Sequence, residues 1–177
     1  LADANVPFAV VVHGDDWLPG YRITKETLER YRLLVVPGDL QPDSELAALL
    51  QAGKEEARVV VWSGVAAIHA RLGEPVRIQG TDRVLVVPRV CVREDGSTLA
   101  VHLLNRAYRK EDDRMEPRPP FQVTLSPDVL GRPADAFRKA TLYAPRAEPA
   151  AVSVQAVEQG LRIDVPGLDF WSIVELQ

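Results

Sequence analysis

The chain has 177 residues, of which 46% are hydrophobic and 26% are charged, and this ordinary globular balance excludes a wholly disordered protein. A net charge of −4 disfavours nucleic acid and anionic membranes as the main partners, and no apolar run approaches the roughly 20 residues of a membrane-spanning helix. The single cysteine, Cys91, excludes an internal disulfide and a cysteine-built metal site, and we interpret it as a structural thiol.

The first 80 residues alternate between continuous apolar runs and helical patterns. The runs at 8–12, 33–36 and 58–62 predict strands covered on both faces, as in a parallel sheet. Helical patterns follow these runs, beginning at Thr24, Pro42 and Val65. Strands that alternate with helices in this way predict a parallel α/β sheet with right-handed crossovers.

Beyond residue 81 the pattern changes to short strands with a period of two. Residues 84–92 and 99–106 flank a turn that contains Gly96, and they predict a β-hairpin. The charged, proline-rich stretch 109–120 predicts a long exposed loop. Further strands are predicted at 121–125, 152–154, 161–165 and 170–176. This spacing is typical of an antiparallel β-sandwich.

Polar turns follow the three predicted parallel strands, and ligands bind beyond the carboxyl ends of such strands. The candidate cleft rim comprises His13, Asp15, Asp16, Trp17, Asp39 and Ser63. Clustered carboxylates can hold Mg²⁺ through their oxygens. However, aspartate and glycine are also what βα turns and helix caps require. We favour this structural interpretation and assign no metal ligand and no catalytic residue.

Two further features of the sequence are candidates for nucleophilic catalysis and for sugar stacking. Ser63 lies at a strand–turn–helix junction, but a nucleophile elbow needs small neighbours, and Trp62 precedes the serine here. Trp17, Tyr21 and Tyr108 are loop aromatics, and an exposed aromatic ring can stack on a sugar face.

Four segments of the sequence occur in an order that resembles bacterial glycoside hydrolases. They are residues 5–17 (NVPFAVVVHGDDW), 31–38 (YRLLVVPG), 99–106 (LAVHLLNR) and 160–176 (GLRIDVPGLDFWSIVEL). The chain is similar to the region after the catalytic (β/α)8 barrel of that family. There a flavodoxin-like domain, related to class I glutamine amidotransferases and to the β-galactosidase trimerisation domain, precedes a small sandwich.

This resemblance implies two domains. Residues 1–80 would form a flavodoxin-like α/β domain that is incomplete at its N-terminus, because residue 1 already lies near the expected second strand. Residues 81–177 would form an immunoglobulin-like β-sandwich. The barrel with the paired catalytic carboxylates is not in the chain, and Ser63 stands where an amidotransferase needs a cysteine.

The implied function is a non-catalytic accessory and oligomerisation region of a glycoside hydrolase. The expected partner is the missing catalytic barrel or a second copy of the chain, with carbohydrate as a further candidate. No cofactor, nucleic acid or membrane partner is expected. Two alternatives stay open, namely a carbohydrate-binding module that uses the loop aromatics, and a small flavodoxin-like enzyme with a Mg²⁺ or serine site.

Overall fold

The structure, a computed structural model, describes residues 1–14, 17–93 and 96–177. The chain divides into two compact units. One comprises Phe8–Gly73, and the other comprises Leu1–Pro7 together with Glu74–Gln177. Most of the strands are antiparallel and helices are few, while one small parallel sheet lies in the first unit.

The unit Phe8–Gly73 contains a βαβα segment preceded by a short helix. Its elements are α1 (Lys25–Glu29), β1 (Leu34–Val36), α2 (Ser44–Glu55), β2 (Val59–Val61) and α3 (Val65–Leu72). Strands β1 and β2 are parallel, with Val36 opposite Val61. Their buried core consists of Ile23, Leu28, Val36, Leu46, Leu50 and Val59. The helices begin close to the positions that the sequence predicts.

Residues 8–12 do not form the predicted buried strand. They have no regular secondary structure, and Val10 is 79% exposed. A strand exists only when a neighbour satisfies its backbone groups, and within the described residues β1 pairs with β2 alone. The prediction of a buried strand at 8–12 is therefore wrong. Two of the three expected parallel strands, β1 and β2, are formed.

The second unit is a sandwich of two antiparallel sheets. Its strands are β3 (Val76–Gln79), β4 (Val84–Arg93), β5 (Gly96–Asn105), β6 (Tyr108–Arg109), β7 (Arg114–Met115), β8 (Phe121–Leu125), β9 (Ala140–Tyr143), β10 (Ala150–Ala151), β11 (Val154–Val157), β12 (Gly160–Val165) and β13 (Trp171–Leu176). The five-stranded sheet has the order β10-β9-β13-β5-β4 and the four-stranded sheet the order β11-β12-β8-β3. A short helix, α4 (Pro127–Leu130), follows β8.

Side chains from both sheets form one core between them. Leu161, Ile163 and Val165 alternate inward along β12, as their period of two predicts. On the facing sheet, Val101 and Val174 are also fully buried. The predicted hairpin is confirmed, since β4 and β5 pair along their whole length. Its turn residues, 94 and 95, lie outside the described residues.

Two details differ from the predicted organisation. Strand β3 lies before residue 80, yet it pairs with β8 in the sandwich, because Val76 alternates inward opposite Leu125. The two-stranded ladder of β6 and β7 begins at Tyr108 and extends into the predicted exposed loop at 109–120.

Asn5 ties the first residues of the chain to the edge of the sandwich. Its side-chain Oδ1 accepts from the Val86 N–H at 2.6 Å, and its Nδ2 donates to the Val84 carbonyl at 3.3 Å. An edge strand otherwise offers unpaired backbone groups to other chains. Asn5 therefore covers part of the open edge of β4.

Candidate functional site

The structure brings two of the predicted rim residues to one edge of the parallel sheet. Asp39 follows β1 and Ser63 follows β2, and the Trp62 N–H donates to the Val36 carbonyl at 2.8 Å. The carboxyl ends of the two strands therefore lie side by side. Residues 15 and 16, the other predicted carboxylates, lie outside the described residues.

His13 has a structural role in this region. Its Nδ1 accepts from the Ile23 N–H at 3.1 Å, and its Nε2 lies 3.2 Å from Oδ2 of Asp43. Because Nδ1 accepts, the proton is on Nε2, which donates to the carboxylate. Both ring nitrogens are thus used inside the fold, and the side chain is nearly buried.

Asp43 is a partner that the sequence identified only as a helix start. Its Oδ1 accepts from the Leu46 N–H at 2.8 Å and caps α2. This backbone hydrogen bond first, and the His13 side chain second, hold the pKa of the Asp43 carboxyl below its ordinary value. The cluster therefore anchors the start of α2 to the segment around His13.

Two of the aromatic residues predicted for sugar stacking, Trp17 and Tyr21, lie in one loop. Trp17 is 87% exposed and Tyr21 is also exposed. The turn that carries them is closed by the Gly14 N–H, which donates to the Tyr21 carbonyl at 2.7 Å. A Cβ at Gly14 would lie 1.7 Å from the Leu18 carbonyl oxygen, so only glycine fits.

Tyr108, the third of these aromatics, is held by a neighbouring carboxylate. Its hydroxyl donates to Oδ1 of Asp113 at 2.6 Å. This hydrogen bond raises the pKa of the Tyr108 hydroxyl, since the neutral phenol is the donor. The contact orients the ring within the β6–β7 ladder region.

The part of the chain that the structure describes contains no group of three or more His, Cys, Asp or Glu side chains arranged to hold a metal. In the same residues, no helix has the length and apolar character that would let it cross a membrane.

A groove of about 920 Å³ lies at the end of the sandwich where β9 ends and β13 begins. The loops 144–147 and 166–170 form its walls, together with Arg118. Two consecutive aromatic residues, Phe170 and Trp171, line the groove. Both are exposed to solvent, Phe170 by 61% and Trp171 by 47%.

Asn105 fixes the loop that leads to these aromatic residues. It is buried, and its Nδ2 donates to the carbonyls of Asp169 at 2.7 Å and Glu116 at 2.8 Å. Its Oδ1 accepts from the Ala107 N–H at 2.8 Å, and the Asn105 N–H itself donates to the Phe170 carbonyl at 2.8 Å. One buried amide therefore holds three chain segments in register.

Arg118 supports the same loop from the other side. Its guanidinium pairs with Glu116 at 2.7 Å and with Asp82 at 3.2 Å, and its side chain is largely buried. Its backbone exchanges hydrogen bonds with Leu168. The charge of Arg118 is therefore already neutralised within the protein.

Trp171 also belongs to a wider aromatic surface on the outer face of the five-stranded sheet. It is opposite Leu104 on β5, and it lies diagonally across from Tyr143 on β9, since Tyr143 is opposite Ile173. Such diagonal neighbours are about 7–8 Å apart. The Tyr143 hydroxyl donates to the Glu175 carboxylate at 3.1 Å, which positions the ring.

The sequence analysis predicted the strand at 170–176 but assigned no site to it. One signal was present, because Phe170 and Trp171 stand together after a turn and the alternation of β13 points Ser172 inward. The groove itself joins residues from 118 to 172, and no local pattern predicts their meeting.

A second, smaller groove of about 580 Å³ lies along the four-stranded sheet. Gln79, Gln122 and Asp164 form a cross-strand row beside it, and Nε2 of Gln122 donates to Asp164 at 2.9 Å. Its aromatic lining residue, Phe121, is buried. This groove is therefore a polar surface without a stacking platform.

No family model matches the sequence, and no curated protein is significantly similar to it. Among solved structures, an alpha-L-fucosidase isoenzyme 2 from Paenibacillus thiaminolyticus is similar with a TM-score of 0.44 and 17% identity. A cycloisomaltooligosaccharide glucanotransferase from Paenibacillus sp., complexed with cycloisomaltoheptaose, is similar with a TM-score of 0.37 and 14% identity.

These likenesses are partial. They cover 63% and 62% of this chain, but only 17% of the fucosidase and 19% of the glucanotransferase. Both neighbours are carbohydrate-active enzymes by name.

Proposed function

We propose that this chain is a non-catalytic accessory region of a carbohydrate-active glycoside hydrolase. The observation that carries the proposal is the use of His13, the one imidazole on the predicted rim, in two internal hydrogen bonds. His13 therefore stabilises the folded chain, and neither of its ring nitrogens is left for proton transfer to a substrate. The glycoside hydrolase connection rests on the resemblance of the four sequence segments.

The carboxylates also favour a non-catalytic role. Glycoside hydrolysis needs two carboxylates roughly 5–10 Å apart, one of which has a raised pKa so that it can act as an acid. Beside the rim residue His13, the pKa of Asp43 is instead lowered by the Leu46 N–H and by His13. That carboxyl stays ionised and acts as a helix cap.

The finer parts of the resemblance are also proposals. The parallel βαβα order of β1, α2, β2 and α3 is the repeating unit of a flavodoxin-like sheet, and supports such a domain in this region. The exposed apolar run at 8–12 and the exposed Trp62 support packing against a catalytic barrel or a second copy.

The test is turnover of a panel of nitrophenyl glycosides and of glutamine by the purified chain. We expect no turnover above the buffer rate at any pH between 4 and 9. Turnover that disappears in Ser63→Ala or Asp15→Ala would contradict the proposal and would favour the small-enzyme alternative. A matched Ser44→Ala variant, at the first residue of α2, controls for general loss of the fold.

A further inference from the structure

We propose that the groove beside Trp171 binds a neutral oligosaccharide, with the Trp171 ring as the stacking platform. This inference rests on the accessory role proposed above and names the ligand class of that accessory region. It places the binding site on the sandwich, rather than on the loop aromatics Trp17 and Tyr21.

Rigidity is the first argument. Trp171 is the first residue of β13 and pairs with Leu104 of β5, and the ladder between β13 and β9 begins two residues later, at Ile173. Asn105 fixes the two residues before it through the Asp169 and Phe170 carbonyls. A ring that is both exposed and held in place loses little entropy when a ligand stacks on it.

The shape and surface of the groove form the second argument. Its volume of about 920 Å³ falls in the range of small-molecule sites, about 300–1,000 Å³. The negative face of an indole attracts the weakly positive C–H bonds on one side of a pyranose ring. Asp169 and Arg146 are exposed along the walls and offer an acceptor and a donor for sugar hydroxyls.

The charge balance favours a neutral ligand. Arg118 is the largely buried cation of the groove, and its guanidinium is already paired with Glu116 and Asp82. The exposed walls carry one charge of each sign, Arg146 and Asp169. A phosphate or a polyanion binds best where several positive charges are unpaired, and this groove does not offer such a cluster. The hydroxyl groups of a neutral sugar do not require one.

The experiment is isothermal titration calorimetry of the full chain with cellohexaose, xylohexaose, maltohexaose and galactohexaose. We expect at least one to bind, and Trp171→Ala to weaken that affinity about tenfold or more. The matched control, Trp17→Ala, removes an equally large and more exposed ring from the other unit and should leave the affinity unchanged. Circular dichroism reports whether each variant is folded.

A second measurement keeps the test decisive if Trp171→Ala does not fold. The chain has three tryptophans, so Trp17→Phe combined with Trp62→Phe leaves Trp171 as the only indole. Saturating oligosaccharide should shift or quench its fluorescence. An unchanged spectrum, unchanged affinity in Trp171→Ala, loss of binding in Trp17→Ala, or no binding by any of the four sugars would each overturn the proposal.

The outcomes also separate this inference from the accessory function. If the chain neither binds the oligosaccharides nor turns over the glycosides, the proposal of a sugar-binding groove is contradicted and the proposed accessory function is not. Turnover of a nitrophenyl glycoside contradicts the accessory function, whether or not Trp171 binds sugar. Binding through Trp171 without turnover supports both.

Discussion

The side chain of Asn105 is a buried polar group that joins several segments of the sandwich. Its amide bonds the carbonyls of Glu116 and Asp169 and the N–H of Ala107, all within a buried site. A buried polar group that loses its partner costs about 1–3 kcal/mol, which is more than the roughly 1 kcal/mol that the hydrogen bond itself contributes. The free energy of unfolding therefore depends strongly on this one residue.

We expect Asn105→Ala to lower the free energy of unfolding by about 2–4 kcal/mol, because it removes several buried hydrogen bonds and leaves their partners unsatisfied. Urea denaturation followed by circular dichroism measures the change. Asn5→Ala is the matched control, since Asn5 also bridges two backbone groups but lies at the sheet edge, and it should cost about 1 kcal/mol. A smaller loss for Asn105→Ala than for Asn5→Ala would contradict this assignment.

A second prediction concerns the stability of the unit Phe8–Gly73 at acid pH. Since the folded-state pKa of Asp43 is lowered, its carboxylate contributes stability above the unfolded-state value, about 3.9, and this contribution is lost as the pH falls through the folded value. Asp43→Asn should therefore flatten the fall in melting temperature below about pH 4.

Thermal unfolding at pH values between 2 and 6 measures this effect. The control is Glu45→Gln, which removes an exposed charge from the same first turn of α2 without removing the cap. If the melting temperature falls equally steeply with decreasing pH in Asp43→Asn and in the unchanged protein, the contacts with Leu46 and His13 do not stabilise the ionised carboxylate.

The segment 8–12 is where the predicted secondary structure and the observed fold differ most clearly. Its composition predicts a buried strand, but Phe8, Val10 and Val12 are exposed. Hydrophobic periodicity reports which residues benefit from burial, and it does not report whether a neighbouring strand is present to accept their backbone groups.

This exposed run predicts association. We expect the chain to show a mass above that of a monomer in light scattering at high concentration, because contiguous exposed apolar surface drives contact between molecules. Val10→Lys should shift the mass towards the monomer, whereas Val90→Lys, at an exposed valine of β4, should change it less. Equal masses for all three proteins would contradict a role of residues 8–12 in association.

Much of the local structure follows from the sequence for physical reasons that act over a few residues. The caps at Thr24 and Asp43, the hairpin of β4 and β5, and the inward alternation of β12 depend on neighbouring residues only. The pairing of β3 with β8 depends on residues far apart in the chain, and local patterns could not predict it.

The candidate sites show the same limit. Sequence placed Asp39 and Ser63 at adjacent strand ends, since parallel strands bring their carboxyl ends together. It could not predict that His13 would bond Asp43, or that Asn105 would place Trp171 beside a groove, because each contact joins segments separated by 30 or more residues.

Taken together, the proposals say that the chain binds carbohydrate and does not cleave it. Proton NMR of an unlabelled oligosaccharide, recorded with the chain over many hours, measures both properties at once. We expect the sugar resonances to broaden with the unchanged chain, to stay sharp with Trp171→Ala, and to show no new reducing-end anomeric signal with either protein. New anomeric signals from cleaved sugar, or sharp sugar resonances in the presence of the unchanged chain, would contradict the account.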